Sequence, residues 1–108
     1  MFDSLRKNRY ADKFEKFDLY FDQLSKWLEA HPLSDLDFSQ DTHWIYAIFH
    51  AFQNLAEVCA DIAAMILKDE DHIPKDNYSN YLSLYDYKII SKNSQQTLQK
   101  INGLRNRV

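Results

Sequence analysis

Six apolar residues, Tyr10, Phe14, Phe17, Phe21, Leu24 and Leu28, recur at spacings of four, three, four, three and four. This is the a/d heptad of a helix packed against other helices, and an aromatic stripe at this spacing reads as core rather than as a cofactor site. Lys13, Glu15, Lys16, Asp18, Asp22 and Lys26 fill most of the remaining positions. Pro32, following His31, ends the helix. Residues 31–41 read as a loop, with Leu33, Leu36 and Phe38 tucked onto the bundle and Asp41 or Thr42 capping a second helix.

That second helix is predicted to run to about Lys68, and it carries three apolar series at seven-residue spacing. Ile45, Phe52, Cys59 and Ile66 form one; Ile48, Leu55 and Ile62 another; Trp44, Ala51, Val58 and Met65 a third. Such a face is wider than one neighbour needs, so the helix is expected to be central or to meet another subunit. A polar connection, KDEDHIPKDN, leads to a short third helix over Tyr78 to Asp86 with Tyr78, Tyr81, Leu82 and Tyr85 inward. YKII reads as a turn, and a fourth helix starts near Ser91–Ser94 with Leu98, Ile101, Leu104 and Val108 inward. Its apolar period is still running at Val108, with no Gly or Pro to stop it, so the sequence reads as cut in mid-helix.

The pattern predicts an all-α chain, a four- to five-helix up-down bundle forming a single domain over residues 1–108. Composition agrees: with one glycine and two prolines among 108 residues, the turns of a β-sandwich or barrel could not be built. The one cysteine, Cys59, can make no internal disulfide and supplies no zinc framework, which suits a reducing compartment. The charged N-terminal stretch does not read as a signal peptide, and no apolar run is long enough to cross a bilayer. A cytoplasmic protein without membrane contact is expected.

The net charge of −3 argues against a general nucleic-acid binder, but its distribution is uneven. Residues 1–87 hold 8 Lys/Arg and 16 Asp/Glu, whereas residues 88–108 hold Lys88, Lys92, Lys100, Arg105 and Arg107 and no acid. Cations near a helix C-terminus complement its dipole. The same cluster can also form a local site for a phosphate-bearing ligand or an acidic partner.

Polar residues on the second helix fall in one stripe: His43, His50, Asn54, Glu57 and Asp61, at offsets of seven, four, three and four. The stripe reads either as a solvated face or as the wall of a groove whose acids, Asp61 and Glu57, position a cation from another helix. His43 and His50 lie roughly 10 Å apart by helical rise, too far to share one ion, so no metal is expected. His31 and His72 are expected in loops facing solvent. Phosphate-cradling loops need glycines this chain lacks, so no nucleotide cofactor is expected. Cys59 on the apolar face reads as packing rather than as a nucleophile. INGLRNRV remains: Gly103 sits inside a helical pattern at a cost of about 1 kcal/mol relative to Ala, which suggests that a backbone or ligand approaches there. Arg105 can hold a phosphate bidentately, and Asn106 can orient a hydroxyl or phosphate oxygen.

The stretches AFQNLAEVCADIAAMILKDED, HIPKDNYSNYLSLYDYKIIS and LQKINGLRNRV, in order within residues 44–108, resemble the HepT-type HEPN domain. The first helix is compatible and less specific. The family motif is an arginine, commonly followed by a polar residue, with a histidine five positions after it and often a tyrosine two further on. Arg105 and Asn106 match its start and follow the Gly-Leu common in the family; the histidine would fall at the second position beyond Val108. Either the sequence is a fragment, or this member has lost the histidine.

The resemblance implies a helical bundle that dimerises with two motifs facing one cleft. It also implies metal-independent RNA cleavage, with the RNA 2′-OH as nucleophile, the histidine as acid/base and Arg105 on the scissile phosphate. The chain would be the toxin of a toxin–antitoxin pair, partnered by a minimal nucleotidyltransferase antitoxin that in some systems adenylylates the motif tyrosine, and would act on RNA rather than DNA. The alternative within the family is a non-catalytic module that binds substrate or a nucleotidyltransferase; outside it, a plain helical interaction domain. A symmetric homodimer through the second and fourth helices is expected, as is Asp61 or Glu57 within salt-bridge reach of Arg105.

Overall fold

Residues 2–107 are described by a computed structural model. They form four α-helices, α1 (Phe2–Ala30), α2 (Thr42–Asp69), α3 (Asn77–Asp86) and α4 (Lys92–Arg107), with one 3-10 turn at Leu33–Asp35. The chain is all-α, with no strand among the described residues. No described helix is long and apolar enough to cross a membrane. The chain falls into two compact units, residues 1–55 and 56–108, and α2 contributes to both.

In the first unit α1 begins at Phe2, ahead of the heptad that opens at Tyr10. The added turns contain Leu5, Arg6 and Lys7, good helix formers that need no apolar period. The helix stops where expected. His31 N–H donates to the Trp27 carbonyl (2.8 Å), and Pro32 has no N–H with which to continue. Of the stripe, Tyr10, Phe17, Leu24 and Leu28 are half-buried, but Phe14 and Phe21 remain about half exposed. Phe21 stacks on Phe17 within the helix, at 5.9 Å between centroids.

The loop after α1 departs from expectation. Leu36 is half-buried, but Leu33 is exposed and Phe38 almost wholly so. Local hydrogen bonds hold this loop: Ser39 N–H and Oγ both donate to the Asp37 carboxylate, and Asp37 N–H donates to the Asp41 carboxylate (2.8 Å). The Ser39 bonds also hold the Asp37 carboxyl below its usual range. Asp41 opens α2 through its carbonyl, which accepts from Trp44 and Ile45 N–H, while its carboxylate accepts from Asp37 N–H in the loop. Thr42 donates its hydroxyl to the Phe38 carbonyl. His31 stacks on Trp44 at 3.8 Å instead of facing solvent. Ile45, Ile48 and Ala51 are buried on α2.

The second unit has a defined core. Ala63 and Leu67 of α2 meet Tyr81 and Leu84 of α3, with Ile66, Ile90 and Leu98 packed around them. The face of α3 is rotated from expectation: Asn80, Tyr81 and Leu84 are buried, while Tyr78, Leu82 and Tyr85 are exposed. Counting apolar residues misses the reason. Asn80 accepts from Lys75 N–H (2.6 Å) and donates to the Lys75 carbonyl (3.3 Å), so its amide is drawn inward to satisfy the incoming loop. On α4, Leu98 and Ile101 are half-buried, Leu104 is exposed, and Val108 lies outside the described residues.

Side chains cap the helices of this unit and one glycine-like turn closes each of α2 and α3. Asp76 accepts from Ser79 N–H (2.8 Å) to start α3, which holds its carboxyl low. Ser91 accepts from Ser94 N–H (3.1 Å) to start α4. After α2, His72 N–H reaches the Leu67 carbonyl and Asp71 N–H the Lys68 carbonyl; after α3, Ile89 and Lys88 repeat the pattern on Leu84 and Tyr85. These are Schellman closures, with Asp71 (φ 62°) and Lys88 (φ 63°) in the left-handed position that glycine ordinarily takes. His72, expected in solvent, is half-buried and stacks on Tyr87 at 3.8 Å with the rings nearly parallel.

Candidate functional site

The start of α3 and the end of α4 lie side by side, so the two helices run antiparallel. Asn77 Nδ2 donates to Asn102 Oδ1 (3.3 Å), and Gln99 Nε2 donates to the Tyr78 carbonyl (3.2 Å). Gln99 is itself held by Gln95, whose Nε2 donates to Gln99 Oε1. Gln95 is 8% exposed, which shows how firmly this amide row is built into α4. Gln95, Gln99, Asn102 and Asn106 recur at four, three and four, so the row ends on Asn106.

Arg105 is half-buried on α4, one residue before the exposed Asn106. Its guanidinium acts on Tyr81, the buried phenol of α3. Asp61 of α2, also half-buried, acts on the same phenol with opposite sign. Burial is the main influence and pushes Tyr81 up to about 12, with Cys59 and Asp61 adding to it and Arg105 opposing. Tyr81 therefore lies within electrostatic reach of charges on two other helices, Asp61 on α2 and Arg105 on α4. Glu57, one turn before Asp61, is exposed. Composition gave Tyr81 a place in the core and no place beside Arg105; the only signal was its inward spacing on α3.

The rest of the polar stripe on α2 is divided. His43 and His50 are exposed, and His50 Nε2 shares a hydrogen bond with Asn54 Nδ2 (3.2 Å). Among the described residues no three His, Cys, Asp or Glu side chains gather as metal ligands would. Cys59 is half-buried, and burial pushes its thiol up, away from the thiolate that a nucleophile requires.

On another face of α4 from Arg105 lies an open groove of about 660 Å³, lined by Tyr78 of α3 and by Gln96, Gln99, Lys100, Gly103 and Leu104 of α4. A methyl group added at Gly103 would meet nothing within 4 Å. Among the described residues no backbone explains that glycine, contrary to the close approach its position suggested.

A family model described as "Ribonuclease HepT-like" matches residues 8–108. The chain belongs to the HepT-like ribonuclease family. Two proteins of Archaeoglobus fulgidus, each named "Putative RNase", are similar to it. One is 27% identical over 104 residues, covering 96% of this chain and 71% of its own length. The other is 28% identical over 102 residues, covering 94% and 69%. No solved structure matches the chain. Within this HepT-like chain, Arg105 and Asn106 lie in the last turn of α4.

Proposed function

We propose that the HepT-like chain is the toxin of a toxin–antitoxin pair, an endoribonuclease that cuts RNA without a metal ion. The observation that carries this reading is the placement of Arg105 at the end of α4, half-buried, where its charge reaches the buried phenol of Tyr81. A guanidinium in that setting is oriented before substrate arrives and can take two non-bridging phosphate oxygens at once. Asn106, exposed on the next residue, can donate to a phosphate oxygen or align the ribose hydroxyl. Attack of the RNA 2′-OH on the adjacent phosphorus forms a 2′,3′-cyclic phosphate and breaks the bond to the 5′ oxygen, which leaves as a hydroxyl after taking a proton. A histidine five positions after Arg105 is the group that would remove one proton and return the other.

Two such motifs would face one cleft in a homodimer, with the antitoxin a nucleotidyltransferase and the working compartment the cytoplasm. Tyr46 of α2 is a large apolar side chain left exposed on one of the helices expected at the dimer contact. Light scattering at micromolar concentration should give twice the chain mass; a monomer contradicts the dimer. For the chemistry, RNA products of a chain carrying that histidine should end in 2′,3′-cyclic phosphate with a chelator present. RNA that is bound but never cut, together with capture of a nucleotidyltransferase, would replace catalysis by a non-catalytic binding role.

A further inference from the structure

The groove on the other face of α4 is not required by the phosphate chemistry, and its lining has a chemistry of its own. Gln96, Gln99, Lys100 and Gly103 recur at i, i+3, i+4 and i+7, so they share one face of α4, with the exposed ring of Tyr78 as the opposing wall. The Tyr78 backbone is fixed by Gln99, which is in turn fixed by Gln95, so the wall is held in place before any ligand binds. Gly103 leaves the floor open, although alanine would fit and would favour the helix. The groove is open to solvent, and Lys100 supplies a cation at its edge.

We propose that this groove is a nucleobase subsite for single-stranded RNA. Tyr78 stacks on an unpaired base, Gln96 meets its edge with an amide that both donates and accepts, and Lys100 takes a flanking phosphate. Gly103 keeps any side chain larger than a methyl group out of the space the base occupies. Lys100 and Arg105 are five residues apart, about 7.5 Å along α4 and about 140° around it, so a base in the groove belongs to a nucleotide a few positions along the strand from the phosphate on Arg105. The inference rests on the ribonuclease reading for its ligand class, and it adds a residue set that touches bases where Arg105 touches phosphate.

Anisotropy of a labelled single-stranded RNA hexamer, with an abasic ribose-phosphate strand of equal length as comparison, tests it on the whole chain. Tyr78→Ala should weaken binding of the base-bearing strand by about 5- to 100-fold, the range of one lost stacking contact, and leave the abasic strand unaffected. Gly103→Leu should do the same by filling the floor, whereas Gly103→Ala should bind nearly as well as the native chain. Lys100→Ala should weaken both strands equally and lower the slope of log K against log salt by about 0.7. Circular dichroism verifies that each variant keeps its helices.

Native binding of both Tyr78→Ala and Gly103→Leu, with loss only in Arg105→Ala, overturns the groove while the ribonuclease reading stands. A native chain that binds neither strand overturns both. A halved mass by sedimentation for Tyr78→Ala or Gly103→Leu makes the groove a contact between copies and overturns the base subsite.

Discussion

Arg105 of α4 exerts a charge effect on the phenol of Tyr81 of α3, a residue only 3% exposed. Tyr81 also packs with Ala63, Leu67 and Leu84 in the core of the second unit. The Arg105 charge would by itself favour the phenolate. Burial outweighs it, with help from Cys59 and Asp61, and the phenol stays neutral.

This neutrality makes stability depend on alkaline pH. Tyr81 ionises at an ordinary value of 10.0 in the unfolded chain and at about 12 in the folded one, so the folded state keeps the proton longer. Its contribution is complete below pH 10 and is lost as pH rises toward 12, by about 2–3 kcal/mol. Phenolate absorbance should show one of the seven tyrosines titrating late, and Tyr81→Phe should remove that late step and flatten the alkaline fall in stability. An unchanged titration in Tyr81→Phe would contradict this.

Gly103 should be a stability cost that the fold does not need. Its φ is not positive and its Cβ space is open, so Gly103→Ala should stabilise the chain by about 1 kcal/mol. Urea unfolding measures this through the midpoint; a loss of stability would mean that an undescribed neighbour crowds the position.

Lys88 and Asp71 occupy left-handed C-cap positions that favour glycine. Lys88→Gly should raise stability by about 1 kcal/mol, and Asp71→Gly by less, because a short polar side chain tolerates this conformation better than lysine does. Thermal melts should rank Lys88→Gly above Asp71→Gly above the native chain, and the reverse order would contradict the two closures.

Asn80 should be costly to remove. Its amide serves both backbone groups of Lys75 at 3% exposure, so Asn80→Ala leaves two polar groups with no partner. A loss of about 1–3 kcal/mol is expected from urea unfolding. A neutral result would mean that water replaces the clamp.

Asn80 also shows where periodicity stops being informative. The helices themselves were legible because long apolar series and Pro32 mark them from local chemistry alone. The rotation of α3 was not, since Tyr78, Leu82 and Tyr85 outweigh Asn80 by hydrophobicity, and only the loop carrying Lys75 explains why the amide turns inward. His31 and His72 were read as solvated for a similar reason: their partners, Trp44 and Tyr87, are aromatic rings that spacing does not bring to them. At the site, the resemblance of LQKINGLRNRV to the family motif pointed to Arg105 and Asn106, and the acidic stripe pointed to Asp61. Tyr81 between them was unreadable, because meeting Arg105 and Asp61 depends on three helices docking. The groove wall at Tyr78 was missed because that residue was assigned to the core.

The account stands most directly on Arg105. RNA cleavage should be followed in a chain that carries a histidine five positions after it, with chelator present throughout, and compared with Arg105→Ala in the same chain. Cleavage should persist without metal, and the substitution should slow it by about 10²–10³-fold while the unfolding midpoint stays near the native value. Cleavage that requires added Mg²⁺, or that proceeds equally well without the arginine, would contradict the account.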